Sequence, residues 1–145
     1  MKFTKMVGAG NDFIIFNSLE KDVENPSNLA VKSCDRRFGI GADGILIISK
    51  STIADIKMLY FNSDGSRGEM CGNGIRCFAK YVYDNKIINK KEFTIETLAG
   101  IKTVWLNTND NNDVESIKVN MGYPIFDSSK IPVDIDSDTV IMKKI

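Results

Sequence analysis

The sequence contains no histidine. That absence excludes Ser-His-Asp and Cys-His catalytic arrangements, histidine general bases and histidine-containing zinc sites. Proton chemistry is left to cysteine, carboxylates, lysine or tyrosine. An excess of one charge is missing too: 19 Lys and Arg balance 19 Asp and Glu, so no net field draws DNA, RNA or an anionic membrane, and no nucleic-acid or membrane partner is expected. Long apolar runs are absent. Nothing approaches the roughly 20 residues of a membrane span, and Lys2 and Lys5 are not followed by the apolar stretch of a secretory signal, so the expected location is the cytoplasm. Cysteine is sparse and odd in number. Cys34, Cys71 and Cys77 point to reduced thiols rather than a disulfide framework, and no pair has C-x-x-C spacing, so no metal is expected.

What is present is ordinary globular composition in 145 residues, enough for one compact domain with a real core. "KFTKMV" and "DFIIFN" flank "GAGN" and predict a hairpin that presents Asn11 and Asp12 at its tip. "NPSNLAVKSCDRRFG" predicts a short helix started by Pro26 and Ser27, with Val31, Cys34 and Phe38 toward the core and Gly39 as its stop. Strand-like runs follow at 44–49, 56–62, 93–97, 101–107 and 114–121, with "TNDNND" at 108–113 as a hairpin loop. In "GNGIRCFAKYVYD", Ile75, Phe78, Ala79 and Val82 recur at i, i+3, i+4 and i+7, the pattern of a helix with one apolar face. A mostly antiparallel curved sheet wrapped around that central helix, an α+β architecture, accommodates these elements. Residues 1–121 form the expected domain. From 122 to 145 the chain carries two of the three prolines and several Asp and Ser, and reads as a linker and the start of a second, missing domain.

Three motifs raise questions of chemistry. "GIGADG" (39–44) satisfies G-x-G-x-x-G, but a helix precedes it and a strand follows, the reverse of a dinucleotide-binding turn, so it reads as a helix cap and glycine turn. The Asn/Asp cluster at 107–113 lacks the sixth-position glycine and flanking helices of a calcium loop. Cys34 and Cys77 read as small buried hydrophobes. Cys71 differs. It precedes Gly72-Asn73-Gly74 at the helix start, where unsatisfied N–H groups and the macrodipole stabilise negative charge, favouring the thiolate that serves as base or nucleophile. The two glycines let the backbone approach a ligand, and their N–H groups suit a carboxylate.

The stretch Asn62, Asp64, Gly65, Ser66, Cys71, Gly72, Asn73, Gly74 and Arg76, written N-S-D-G-S-R-G-E-M-C-G-N-G-I-R, resembles the active-site signature of the diaminopimelate epimerases. "FTKMVGAGNDF" (3–13) resembles their N-terminal motif and "CDRRFGIGADGILI" (34–47) their next block, so the resemblance covers residues 1 to about 125. It implies an isomerase without cofactor that interconverts LL- and meso-diaminopimelate in lysine biosynthesis. The fold it implies has two similar α/β domains, each a curled sheet around a helix, with substrate between them and one catalytic cysteine from each. The first cysteine maps onto Cys71. Asn11 and Asn62 map onto residues that hold the distal amino-acid end of the substrate, and Gly72, Asn73 and Gly74 onto part of the grip on the reacting α-carboxylate. The partners implied are diaminopimelate and the absent C-terminal half, with homodimerisation left open.

The chain departs from the family in having no cysteine after Cys77, hence no second catalytic thiol, and in carrying Gly44 and Val7 where some relatives have polar side chains. One base returns the same enantiomer, so inversion needs an acid on each face, and this chain alone is expected not to epimerise. Two rival readings remain. A proline racemase-like isomerase shares the two-thiol plan but typically has histidine where Asn73 stands, and a non-catalytic amino-acid-binding module would use the same cradle without reacting.

Overall fold

In the computed structural model, residues 1–135 and 137–142 are described. The strands are β1 (Thr4–Gly8), β2 (Asn11–Asn17), β3 (Gly44–Ser49), β4 (Ile56–Asn62), β5 (Arg67–Gly68), β6 (Glu92–Thr97), β7 (Gly100–Thr108) and β8 (Val114–Val119), and the α-helices are α1 (Pro26–Cys34) and α2 (Gly72–Asp84). They form one sheet in the order β1-β2-β3-β4-β6-β7-β8, with β5 paired to β4. Only β2–β3 and β4–β6 run parallel. The other pairs are antiparallel, so the mostly antiparallel curved sheet holds.

The apolar pattern explains the layers. Along β2 and β3, Phe13–Phe16 and Ile45–Ile48 are all buried, because both faces of these central strands are covered. Phe13, Ile15, Leu46 and Ile48 join strands β4, β6 and β7 in packing on α2 through Ile75, Phe78, Ala79 and Val82, each without exposure. Ile14, Phe16, Ile45 and Ile47 turn to the opposite face, where Ala30 and Cys34 of α1 cover them. The predicted face of α2 is therefore its buried one. The sheet curls around α2 but does not close. Between β1, α2 and β8 lies a cavity of about 400 Å3 lined by Met6, Gly8, Cys77 and Ile117 among others.

Two local expectations fail for clear reasons. The first hairpin turns on Ala9 and Gly10, both at positive φ (50° and 90°), as a tight two-residue turn requires. Asn11 and Asp12 thus open β2 rather than sit at the tip. Helix α1 stops at Cys34, short of Gly39. The Asp35 carboxylate accepts from the Arg37 and Phe38 N–H groups at 2.7 Å each, offering the backbone an alternative to another helical turn. The diverted chain leaves Phe38 93% exposed, and Val31 is exposed as well; of the three residues placed toward the core only Cys34 is buried. Gly39 is required by proximity instead, since a Cβ there would sit 2.3 Å from the Lys32 carbonyl oxygen.

Beyond Val119 the described chain adds a 3-10 turn, Ser128–Lys130, and a single bridge between Asp127 and Thr139. No strand begins there among the described residues.

Candidate active site

The start of β2, the start of β3, the end of β4 and the start of α2 meet at one end of the sheet. Parallel pairing aligns Phe13 with Gly44, and antiparallel pairing aligns Gly44 with Asn62. Cys71 is the N-cap of α2, extended at φ −137° and ψ 115°. Its Sγ accepts the N–H of Gly74 at 3.3 Å, as an N-cap side chain does. The cap also stands at the positive end of the helix. The N–H groups of Gly72 and Asn73, within the first turn, have no intrahelical partner.

The two glycines do different things. At Gly74 an added Cβ would lie 3.3 Å from Leu46 Cδ2 and 3.4 Å from the Cys71 sulfur, so this glycine lets the sulfur close onto the helix end. At Gly72 an added Cβ would meet only the flexible tips of Arg76 and Met121, at 3.9 Å. Packing does not demand glycine there; its bareness leaves the free amides uncovered.

The asparagines are held by chains of hydrogen bonds that end on ions. Asn73 Nδ2 donates to Asn11 Oδ1 at 2.8 Å, and Asn11 Nδ2 donates to Asp43 Oδ2 at 2.9 Å. Arg76 donates to Asn73 Oδ1. Asp43 shares Arg36 with Asp12: the guanidinium reaches both Asp12 oxygens, at 3.0 and 2.8 Å, and Asp43 Oδ1 at 2.8 Å. Lys5 adds an ion pair to Asp12 at 3.1 Å. Asn62 stands on the other side of Asp43, whose carbonyl accepts the Ser63 N–H at 3.1 Å. Tyr60 donates to Asn62 Oδ1, and Asn62 Nδ2 donates to Ser66 Oγ at 2.9 Å.

The structure therefore joins Asn11 to Asn73 directly and Cys71 to Gly74 directly, and brings Asn62 to the same end of the sheet. Arg36, Asp43 and Tyr60 are additions that local sequence patterns do not mark: Arg36 and Asp43 meet Asp12 and Asn11 from far along the chain, and Tyr60, though two residues from Asn62, looks in sequence like any half-buried strand aromatic. Gly44 also gains a reason: a Cβ there would lie 2.6 Å from the Phe61 carbonyl oxygen and 2.8 Å from Tyr60 Cε2, so the Tyr60 ring occupies the space a larger residue would need.

Electrostatics separate the thiols and the carboxylates. Burial pushes Cys34 and Cys77 up, so both stay protonated. The hydrogen bonds from Arg36, opposed by partial burial and aided by Lys5, hold Asp12 well below the usual carboxylate range. Asp43 is lowered chiefly by the Asn11 amide. A carboxylate depressed on folding stabilises the fold above its unfolded value of about 3.9, and that contribution is lost as pH falls below about 4 toward the depressed value. Asp12→Asn is expected to lower stability at pH 7 by about 1–3 kcal/mol and to flatten the decline below pH 4. Urea unfolding at pH 7 and pH 3 checks this, and equal losses at both pH values would contradict it.

Neither the cavity beside β8 nor one of about 650 Å3 bounded by Met1–Thr4 and Tyr81 includes Cys71 in its lining; a cavity of about 480 Å3 is lined by Arg36, Asp43 and Ser63, behind the asparagine chain. Cys71 is partly buried, packed against the core cluster around α2. Among the described residues, no helix is long and apolar enough to cross a membrane.

The family described as "Diaminopimelate epimerase" matches residues 3–126. This chain belongs to the diaminopimelate epimerase family. A diaminopimelate epimerase from Caldanaerobacter subterraneus is 56% identical over 141 residues, which are 97% of this chain and 50% of that protein. One from Methanococcus maripaludis is 50% identical over 145 residues, all of this chain and 52% of that protein. The chain thus spans about half the length of the curated relatives it matches. Among solved structures, a hydroxyproline epimerase from Agrobacterium vitis superposes with a TM-score of 0.60 at 14% identity, covering 81% of this chain and 40% of that one. A phenazine biosynthesis protein from Bacillus anthracis gives 0.59 at 23% identity, covering 77% and 36%. At such identities the likeness is one of fold, and it extends the α+β curled-sheet architecture to enzymes of differing chemistry.

Proposed function

We propose that this chain is the N-terminal half of a cofactor-independent diaminopimelate epimerase, residues 1–121 forming its first domain and 122–145 leading toward the second. In this reading Cys71 is the base on one face of the substrate's α-carbon. Its thiolate takes the α-proton, the electron pair left on carbon is delocalised into the α-carboxylate, and a thiol of the other half gives its proton to the opposite face. The carboxylate rests on the free amides of Gly72 and Asn73, whose dipoles stabilise the charge that develops as the C–H bond breaks, while the Gly74 N–H stays on the Cys71 sulfur. Asn11 and Asn62 hold the distal end of diaminopimelate. In this reading the other half supplies the wall over Cys71, which strengthens these dipoles by excluding water.

The observation that carries the reading is a partly buried Cys71 whose sulfur accepts the Gly74 N–H beside an uncovered Gly72. Its test is competitive alkylation. Treated with iodoacetamide at neutral pH, the native protein is expected to label at Cys71 well before Cys34 and Cys77, with diaminopimelate slowing that adduct, as followed by peptide mass mapping. Buried thiols labelling first, or no protection by diaminopimelate, would count against it.

A further inference from the structure

Asn62 belongs to a hydrogen-bond relay that runs one way only. Ser66 Oγ donates its single proton to Asp64 Oδ1 at 2.6 Å, and the same oxygen accepts the Ser66 N–H at 2.8 Å. Those donors hold Asp64 below the usual carboxylate range, the Ser66 hydroxyl first, so Asp64 is an acceptor throughout the neutral range. With its proton spent, Ser66 Oγ can only accept, and what it accepts is Asn62 Nδ2–H. Asn62 Oδ1 in turn takes the Tyr60 hydroxyl proton. Exchanging the oxygen and nitrogen of this amide would set Oδ1 against the lone pairs of Ser66, so the orientation follows from the network.

The anchor is itself fixed. The turn that carries Asp64 is pinned to α1 by Ser27 Oγ, which donates to the Gly65 carbonyl at 2.7 Å. Gly65 has φ +83°, and a Cβ there would meet Ser27 Oγ at 2.7 Å and Val31 Cγ2 at 2.9 Å. At the other end the Tyr60 ring lies against Gly68 and Gly44 and edge-on to Phe13, 6.3 Å between centroids.

We propose that Asp64 is a positioning residue that acts through Ser66, with Tyr60 as counterpart, to lock Asn62 with one amide N–H left free for a substrate carboxylate oxygen. A free N–H selects an acceptor and turns away an ammonium group. The three residues act through Asn62 and do not touch the reacting atoms. The idea rests on the epimerase reading of the site, but its first test does not.

In the intact protein with labelled asparagine side chains, Asn62 is expected to show two inequivalent Nδ2 protons by NMR, one protected by Ser66. Asp64→Asn supplies an end group that donates as well as accepts, so the relay can reverse; the Asn62 signals should then double or lose that protection, and Asp64→Glu should restore them. Unchanged signals in Asp64→Asn would overturn the relay whatever the enzyme does. The second arm measures epimerisation of diaminopimelate. Asp64→Asn is expected to raise KM about tenfold, the loss of one charge-assisted hydrogen bond, with a smaller change in kcat and recovery in Asp64→Glu. Altered signals with an unchanged KM would overturn the positioning role. Tyr60→Phe repeats both arms from the opposite end and decides the matter should Asp64→Asn fold poorly. No epimerase activity in the parent protein with both halves present would refute the proposed function, and the NMR arm would still judge the relay.

Discussion

Cys71→Ser in the intact protein is expected to lose epimerase turnover by a factor of about 10²–10⁴, the usual contribution of a positioned proton-transfer group, while its melting temperature holds or rises. The two halves of this result come from different chemistry at one atom. Cys71 caps α2 through the Gly74 N–H, and serine is among the best N-cap residues, so the fold keeps its cap. A serine hydroxyl, however, is not ionised near neutral pH and does not serve as a base without a partner, and the sequence offers no histidine to activate it. A rate assay by chiral chromatography beside a thermal melt reads both. Normal turnover in Cys71→Ser would remove the sulfur from the mechanism; lost turnover with a collapsed melt would show only that the cap had failed. Cys34→Ser is the natural comparison, since a buried hydroxyl at a position 2% exposed is expected to disturb stability first.

Phe78→Ala carries the largest expected effect on stability. Phe78 is fully buried at the middle of α2, inside the cluster that joins the helix to β2, β3, β4, β6 and β7. Truncating such a side chain removes its transfer free energy and leaves a cavity, together about 3–5 kcal/mol. Total stability is typically about 5–15 kcal/mol, so the variant is expected at the edge of folding, with a far lower urea midpoint. Phe38→Ala, by contrast, changes a residue that is 93% exposed and should stay within about 0.5 kcal/mol. A comparable loss in both variants would contradict the assignment of the core to α2 rather than to the loop after α1.

Periodicity marked α2 well because a helix enclosed by a sheet must be apolar along most of one face, and its apolar positions fall at helical spacing. The central strands were legible for a related reason: β2 and β3 are covered on both sides, so their residues form continuous apolar runs. Helix α1 was harder. It covers the sheet with small residues such as Ala30 and Cys34, its bulky Val31 faces outward, and its end is set by the Asp35 side chain rather than by the glycine that follows. β5, two residues long, carries no periodic signal at all.

The site divides along the same line. Cys71, Gly72, Asn73 and Gly74 are consecutive, so the chemistry of a helix start, free amides and a sulfur at the cap, is written locally and could be read from order alone. Residue order also determined that no histidine of this chain can move a proton, which leaves cysteine, carboxylates, lysine or tyrosine, and that only one cysteine stands at a helix start. Tertiary structure alone decided that Asp43 and Arg36 brace Asn11, that Tyr60 fills the space over Gly44, and that Asp64 governs the orientation of Asn62. The bracing of Asn11 depends on which strands lie side by side, and its energy belongs to contacts between residues some 24 to 32 apart in the chain, which no window of neighbours contains. The relay from Asp64 to Asn62 spans only four residues, but the fold decides which of the many bonds open to such short polar side chains is made, because it pins the turn through Ser27 and the Tyr60 ring through Phe13.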